Sequence, residues 1–423
     1  MNKGVVMGGS FNSPTLAHRK LMWAAFDAVD ACHGIFVPTA HEYVEKKTWK
    51  YAPIGGPFPT HTDLGNKIGP EGQFRPFSGS TAVFRLDRDT FRLARLMQAL
   101  LHRHLEDTGM LAQPLPEDSL HMTLHDLVSP EQTLSGGEGE KEYAREVENS
   151  VNLAETVVRS IQERYAGQEI VLIPDRIVNM VGKSLVLLLK PASERDDALL
   201  LELYRQFDAV KTLPYPLTPH ITLAYFRPGM IDGDRLGAVV QAMQPEPHTS
   251  PVCRLYPEAL TVQRFSDMAR YRDIPMKLCF CCDGGMNRSV MCAHMLNHMA
   301  KERGLPLRAE ARSAFQNTNG RAIPDEVWST LERHGIEADR SFQTARYLEN
   351  RDWAAFSQFV TISAGAIDRM AMLGVPDSRR RMFSGIFFGI GDPAYESSYE
   401  QAYAEILERM EQLFRLLEAK NEI

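Results

Sequence analysis

The pattern His-x-Thr occurs twice in similar settings, as His121-Met122-Thr123 within LHMTLHDL and as His220-Ile221-Thr222 within PHITLAYF, 99 residues apart. Each copy lies in a run that alternates apolar and polar residues, so each is predicted to be a strand with its His and Thr on one face. Two such strands in comparable surroundings imply a duplicated lobe, and they constrain the middle of the chain to a fold that brings two lobes together. Around them TAVFRL, EIVLIPDRIVNM and SLVLLLK read as further strands, and RLARLMQALLHRHLED, ETVVRSIQERY and ALLLELYRQFDAV as amphipathic helices. Two imidazoles flanking one phosphate supply a general base for an attacking water or 2′-hydroxyl and a general acid for the leaving oxygen. The threonine hydroxyls would hold the non-bridging oxygens, and no metal is required.

These motifs, with their lobes over roughly residues 70–265, resemble the 2H phosphoesterase superfamily. The resemblance implies a two-lobed fold around a cleft and an activity that opens cyclic phosphates or cleaves 2′-5′ linkages, with His121, Thr123, His220 and Thr222 as catalytic residues. Because the lobes are pseudo-symmetric, either histidine can be the base. Tyr225 and Phe226, at the end of the second motif strand, are candidates to stack a base. Before this unit, the Pro- and Gly-rich stretch from Tyr51 to about Gly79 reads as a linker. Within the unit, SGGEGEK at 135–141 reads as an exposed loop, with helix resuming near Tyr143.

In the last third of the chain KLCFCC, a predicted strand, runs into Cys282-Asp283-Gly284-Gly285-Met286-Asn287-Arg288-Ser289 and then a helix. In a strand-loop-helix of this kind the loop amides and the helix N-terminus converge on an anion. Cys282 would attack phosphorus, Arg288 would bind two equatorial oxygens as a planar fork, and Ser289 would donate to the sulfur. Residues 275–423 resemble the low-molecular-weight protein tyrosine phosphatase family, which implies a parallel-sheet fold. It also implies a general acid at Asp392, in the Asp392-Pro393 pair before the final helix. The loop departs from that family at Gly285, where an asparagine usually braces the loop, at Asn287, where a second cysteine is common, and at Val290, where a proline is usual. Cys279, Cys281, Cys282 and Cys292 crowd together without the paired C-x2-C spacing of a tetrahedral zinc site, so no metal is expected.

At the other end, Gly8 to His18 (GGSFNSPTLAH) lies between a predicted strand at 3–7 and a helix, with GIFVP as a second strand. Residues 1–60 are similar to nicotinamide-mononucleotide adenylyltransferases. The resemblance implies a partial Rossmann-like lobe with Gly9, Ser10, Phe11, Thr15 and His18 at the phosphate site. A degenerate or accessory lobe is the expected state, with Mg and ATP required only if it is active; the two hydrolase modules are expected to need no cofactor.

The formal net charge is -7, and residues 61–270 carry the excess, with 22 Lys and Arg against 29 Asp and Glu. A protein that tracks a long phosphate backbone shows a basic stripe, so a small phosphorylated nucleotide or an RNA end is the expected partner rather than bulk nucleic acid. No run reaches the roughly 18 apolar residues of a spanning helix, and MNKGVVMGG breaks at glycines, which makes a cytoplasmic location the expectation. The fold class expected is α/β and α+β multidomain: a nucleotidyltransferase-like fragment (1–60), a two-lobed 2H phosphoesterase (70–265) and a phosphatase-like parallel sheet (275–423). The functional expectation is a phosphoesterase that opens a cyclic phosphate, with an ADP-ribose cyclic phosphate as one candidate by analogy between modules, and then removes the monophosphate. The alternatives are a nucleotide sensor that binds without turnover, and a protein phosphatase whose other modules are inactive.

Overall fold

The computed structural model describes residues 4–9, 33–38, 51–52, 54–130, 137–213, 215–246, 250–338, 340, 343–383, 392–393 and 398–419. At the start, β1 (Gly4–Gly9) and β2 (His33–Pro38) pair in parallel, with Gly4 opposite His33. Parallel pairing is the arrangement expected of the opening of a β-α-β unit.

The largest sheet is antiparallel throughout. Its strands are β3 (Tyr51–Ala52), β5 (Gly79–Arg85), β6 (His121–Val128), β7 (Ile170–Met180), β8 (Ser184–Pro191), β9 (His220–Tyr225), β11 (Cys253–Leu255), β12 (Leu260–Asp267) and β13 (Arg270–Ile274). Their order is β11-β7-β8-β9-β6-β5-β12-β13, with β3 beside β7. The two motif strands, β6 and β9, meet at the centre with Met122 paired to Ile221. From that pair the sheet runs outward symmetrically, through β5 and β12 on one side and β8 and β7 on the other.

Of the first four helices, α1 (Leu64–Lys67) is a single turn. The others, α2 (Arg88–Leu105), α3 (Gly137–Arg164) and α4 (Glu194–Gln206), cover the sheet, α2 against β9, α3 against β12, β5 and β6, and α4 against β7 and β8. Asp87 caps α2, its Oδ1 accepting the amides of Asp89 and Thr90 at 3.0 and 3.1 Å. Its Oδ2 also takes the Arg254 amide at 2.7 Å, tying β11 to the helix start.

Two stretches differ from expectation. The predicted linker contributes β3 to the large sheet and β4 (Pro57–Pro59) to a ribbon with β10 (Met230–Asp232), and it buries Leu64 and Ile68 completely. Its spaced apolar residues act as anchors between turns, which Pro and Gly content conceals. Helix α3 begins at Gly137, inside the predicted loop. Clustered acidic residues favour a helix N-terminus, and they outweigh the glycines there.

The C-terminal unit is a parallel sheet of β14 (Met276–Cys282), β15 (Leu307–Ser313), β16 (Gln358–Thr361) and β17 (Arg380–Met382), ordered β15-β14-β16-β17. Alternation along β14 divides its side chains between two cores. Leu278, Phe280 and Cys282 pack beneath α6 (Arg288–Glu302), α7 (Asp325–Arg333) and α10 (Tyr399–Ala419), which follow α5 (Gly233–Ala242) in the chain. Cys279 and Cys281 face α8 (Asn350–Ala355) and α9 (Ala364–Leu373), and that core is continuous with the core of the large sheet. The joint is aromatic and cationic. Phe91 of α2 lies 4.9 Å from Trp353 of α8, ring centre to ring centre. Arg379 is buried over the Trp353 ring at 4.5 Å, and its guanidinium donates to the carbonyls of Trp353 at 2.6 Å, of Ser357 at 3.3 Å and of Phe356. Arg85, paired with Asp273 of the same sheet at 2.7 Å, reaches across the boundary to donate to Ser357 at 2.9 Å. None of the described helices is long and apolar enough to cross a membrane.

Arg379→Met removes the donor from three buried carbonyls, each of which loses a hydrogen bond it cannot replace with water. The expected loss is about 3 kcal/mol of stability in a urea titration. It should register in both units, because α8 is packed on α2.

Candidate active sites

In a parallel sheet ordered β15-β14-β16, the chain leaves the central strand at the point where the strand order reverses, and the crevice beyond its C-terminal end is where ligands bind. Cys282 ends β14 there. Its sulfur accepts the Gly285 amide at 3.2 Å and lies 3.2 Å from the Ser289 hydroxyl. Arg288, the first residue of α6, is buried; its Nη2 reaches Asp392 Oδ2 at 3.1 Å and lies 3.8 Å from Asp283 Oδ2. Cys282, Arg288, Ser289 and Asp392 are thus brought into one site.

The loop departures acquire physical reasons. Gly285 has φ 65°, and a Cβ there would stand 2.7 Å from the Ser313 backbone nitrogen, so no side chain fits. Ser313 of β15 does the bracing instead. Its Oγ lies 2.8 Å from the Asp283 carbonyl oxygen and accepts the Phe315 amide at 3.1 Å. Asn287 links the general-acid candidate to the last helix, donating from Nδ2 to Asp392 Oδ1 at 3.2 Å and accepting from the Tyr399 hydroxyl at 3.3 Å. Asp283, which sequence reasoning gave no role, puts a second carboxylate beside the arginine and accepts from the Ser363 hydroxyl at 2.8 Å. Burial pushes the thiols of Cys279, Cys281 and Cys292 well above the ordinary cysteine range, so they stay neutral beside the loop.

The second site lies on the large sheet. Because Met122 pairs with Ile221, His121 neighbours Thr222 and Thr123 neighbours His220 across the strands, all on one face. All four open onto a cavity of about 410 Å³ whose wall includes Lys67, Lys183, Tyr225, Phe265 and Tyr271. The Thr218 carbonyl oxygen lies 2.7 Å from His220 Nδ1, an arrangement that places a proton on Nδ1 and leaves Nε2 for the cavity. The His121 ring meets Tyr271 edge-on at 4.8 Å. Burial lowers its pKa from 6.5 to about 4; the Ser119 backbone opposes that shift and a charge on His220 adds to it.

Val181 also faces the cavity, from the hairpin between β7 and β8, with a φ of 56° that a β-branched residue rarely adopts. Gly182 holds that turn, donating to Asn179 Oδ1 at 2.9 Å and accepting from the His61 amide at 3.1 Å.

Of the two aromatic candidates, Tyr225 lines the cavity and donates to Met268 Sδ at 3.2 Å, whereas Phe226 is fully buried against Phe58. Phe226 is a core residue because a bulge between Thr222 and Ala224, where the β8–β9 register shifts, re-phases the strand and turns Tyr225 rather than Phe226 to the cavity. Phe265, Met268 and Tyr271, on the hairpin of β12 and β13, are cavity residues that the sequence did not reveal. Interleaved Arg, Gln and Asp blur the apolar alternation of those strands, although TVQRFSD and RYRDI retain the period of two. Of the N-terminal positions, Gly9 ends β1, and Ser10, Phe11, Thr15 and His18 lie outside the described residues.

Gly285→Ala is expected to reduce hydrolysis of an aryl phosphate about a hundredfold, because the new methyl displaces the loop that aims at phosphorus. Steady-state kinetics, with a thermal melt to confirm folding, provide the check.

Comparison with known proteins matches residues 277–422 to the model of low molecular weight phosphotyrosine protein phosphatases. No curated protein matches the chain. Among solved structures, YfkJ from Bacillus subtilis is 21% identical and the match covers 34% of this chain and 96% of that one, with a TM-score of 0.32. SP-PTP, a low molecular weight protein tyrosine phosphatase from Streptococcus pyogenes, is 19% identical over 34% of this chain and 93% of its own, with a TM-score of 0.30. A conserved protein of unknown function from Agrobacterium tumefaciens is 20% identical over 51% of this chain and 92% of its own, with a TM-score of 0.36. The family is one of cysteine-based phosphatases that work without a cofactor. The C-terminal unit of this chain, residues 277–422, is a low molecular weight phosphotyrosine protein phosphatase module.

Proposed function

We propose that the chain is a two-site phosphoesterase in which the cavity on the large sheet opens a cyclic phosphodiester and the phosphatase module hydrolyses a phosphomonoester. The observation that carries this reading is the Met122–Ile221 pairing, which sets two His-x-Thr motifs side by side at one cavity. Its volume of about 410 Å³ falls in the range of small-molecule sites, roughly 300–1,000 Å³. Lys67 and Lys183 in the wall favour an anion. Tyr225 and Tyr271 offer ring faces to a nucleobase. The substrate class is therefore a small cyclic nucleotide, an ADP-ribose cyclic phosphate or the cyclic end of an RNA.

The burial of His121 supports a division of roles between the two histidines. Burial keeps His121 neutral, so His121 takes the proton from the attacking water. As the water oxygen bonds to phosphorus, the ester bond to one ring oxygen breaks and His220 protonates that oxygen. Thr123 and Thr222 hold the non-bridging oxygens. The product is a phosphomonoester, the substrate class of the second site. There the Cys282 thiol passes its proton to Asp392 and the sulfur attacks phosphorus while Arg288 and the loop amides hold the equatorial oxygens; the P–O bond breaks and Asp392 protonates the leaving alkoxide. Asp392 then takes a proton from a water that attacks the phosphocysteine, the P–S bond breaks with release of inorganic phosphate, and Asp392 returns the proton to the Cys282 sulfur. Before substrate arrives Arg288 is paired with Asp392; phosphate oxygens exchange for that carboxylate and free it to take the Cys282 proton and face the leaving group.

With 2′,3′-cyclic AMP, Cys282→Ser is expected to accumulate a nucleoside monophosphate that the wild-type protein carries on to adenosine, while His121→Ala with His220→Ala leaves the cyclic substrate intact. Chromatography of the products reads both. Stable binding by calorimetry without turnover would replace this reading with a nucleotide sensor, and phosphatase activity alone would leave only the C-terminal module active.

The pH dependence of ring opening tests the assignment of the base. A base acts when unprotonated, so kcat/KM should rise with pH through a midpoint set by His121, about 4, rather than the 6.5 of a solvated imidazole. An acid limb at 6.5 would remove His121 from the role of base.

A further inference from the structure

A cavity of about 240 Å³ lies between α3 and the start of the phosphatase sheet, and neither proposed reaction uses it. Lys277, the second residue of β14, opens onto it. In the parallel register of β14 and β15, Lys277 stands beside Arg308 and Cys279 beside Glu310, so Lys277, Arg308 and Glu310 share one face of the sheet. All three line the cavity together with Glu155, Arg159 and Gln162 of α3, and Leu260, Ile274 and Phe356 give it an apolar wall.

The lysine is poorly served as a cation. Among the described residues no carboxylate forms an ion pair with its amine, whose hydrogen bond to the Glu258 carbonyl oxygen, at 3.3 Å, competes with one from Gln162 Nε2 at 3.4 Å. The carboxylates of the cavity are engaged elsewhere, Glu155 with Arg159 at 2.9 Å and Glu310 with Arg312 at 3.0 Å, while Glu163 is exposed. Arg308 is exposed and has no acidic partner among the described residues, so an unneutralised guanidinium stands next to the amine. Burial lowers the Lys277 pKa from 10.5 to about 8; the charges of Arg85 and Arg308 add to that shift, and those of Glu310 and Asp273 oppose it. Desolvation beside a second cation is the setting in which a lysine becomes a nucleophile toward carbonyl carbon.

We propose that Lys277 is a covalent binding site for a small oxo acid, held as an imine with its carboxylate on Arg308. The neutral amine attacks the carbonyl carbon, a C–N bond forms, and one N–H proton moves to the former carbonyl oxygen. The C–O bond then breaks, the nitrogen lone pair closes the C=N bond, and the hydroxyl leaves with the second N–H proton as water. Neither oxidant nor reductant is needed, and water reverses the step. A guanidinium fork matches a carboxylate. Neighbouring strands lie about 4.8 Å apart, which favours an anion set close to the carbonyl carbon. The cavity volume is below the roughly 300–1,000 Å³ of drug-sized sites, so its occupant has few heavy atoms.

The test treats the full chain with glyoxylate and cyanoborohydride, which reduces an imine to a stable secondary amine, and reads each lysine by peptide mass spectrometry. At pH 8 Lys277 is expected to label about tenfold or more faster than the exposed Lys301, because far more of its amine is unprotonated. Its rate should saturate with glyoxylate and rise with pH through a midpoint of about 8. Arg308→Gln, with a thermal melt to confirm folding, is expected to raise the half-saturating glyoxylate about tenfold. With acetaldehyde, which carries no anion, the same variant should slow labelling only about twofold, through the raised pKa of the amine. Labelling of Lys277 no faster than that of Lys301, or a midpoint near 10.5, would overturn the proposal. So would an equal effect of Arg308→Gln on the two reagents.

Discussion

The pairing of Met122 with Ile221 is the contact on which the larger part of this molecule depends. Both side chains are completely buried, so the register of β6 against β9 is held by the core. A slip of one residue would turn both motifs into the core and both apolar side chains into the cavity. The same pairing makes β6 and β9 inner strands with a neighbour on each side, which removes the exposed edges each lobe would otherwise carry. Geometry that aligns two imidazoles over one cavity is therefore a by-product of the interaction that closes the sheet. The cavity wall adds strain at one place, Val181, where a left-handed backbone costs about 1–3 kcal/mol and is held by hydrogen bonds to Gly182.

The phosphatase module solves its bracing differently from the family pattern, and the substitutions are coupled. With no side chain possible at Gly285, the loop depends on Ser313 of the neighbouring strand, which contacts the backbone at Asp283 and Phe315. Asn287 then provides an amide that can donate to Asp392 and accept from Tyr399 at once, which a thiol does poorly. Asp392 is consequently tied to the last helix as well as to Arg288.

How much of this could be read from the chain follows from what each signal measures. The strands with strict alternation, β6 and β9, and the helices with a clear apolar stripe, α2 and α4, lie close to their predicted ranges, because period and propensity agree there. Cys282, Arg288, Ser289 and Asp392 were legible because strand-loop-helix order places three of them locally and the Asp-Pro pair marks the fourth. Stretches that hold themselves in place by long-range contacts were opaque. The segment 51–79 looks like a linker because its turns dominate its composition, yet Leu64 and Ile68 anchor it. The β12–β13 hairpin turns Phe265 and Tyr271 to the cavity and Arg264 and Arg272 to the opposite face, and arginines interleaved with aromatics read in sequence like a solvent-exposed ribbon. Bracing by Ser313 was invisible for a related reason: it follows from a parallel register that pairs Cys282 with Ser313 across 31 positions of sequence.

The arrangement of the two units bears on how they can cooperate. They are joined by a continuous core and by Arg379, which no water can replace among three carbonyls, so relative motion of the two sites would have to break that joint. In the proposed two-step reaction, a product of ring opening would reach the phosphocysteine loop by leaving one cavity and entering another. Phe265 and Tyr271 line both the histidine cavity and the crevice between the two units, so one aromatic wall separates the two spaces.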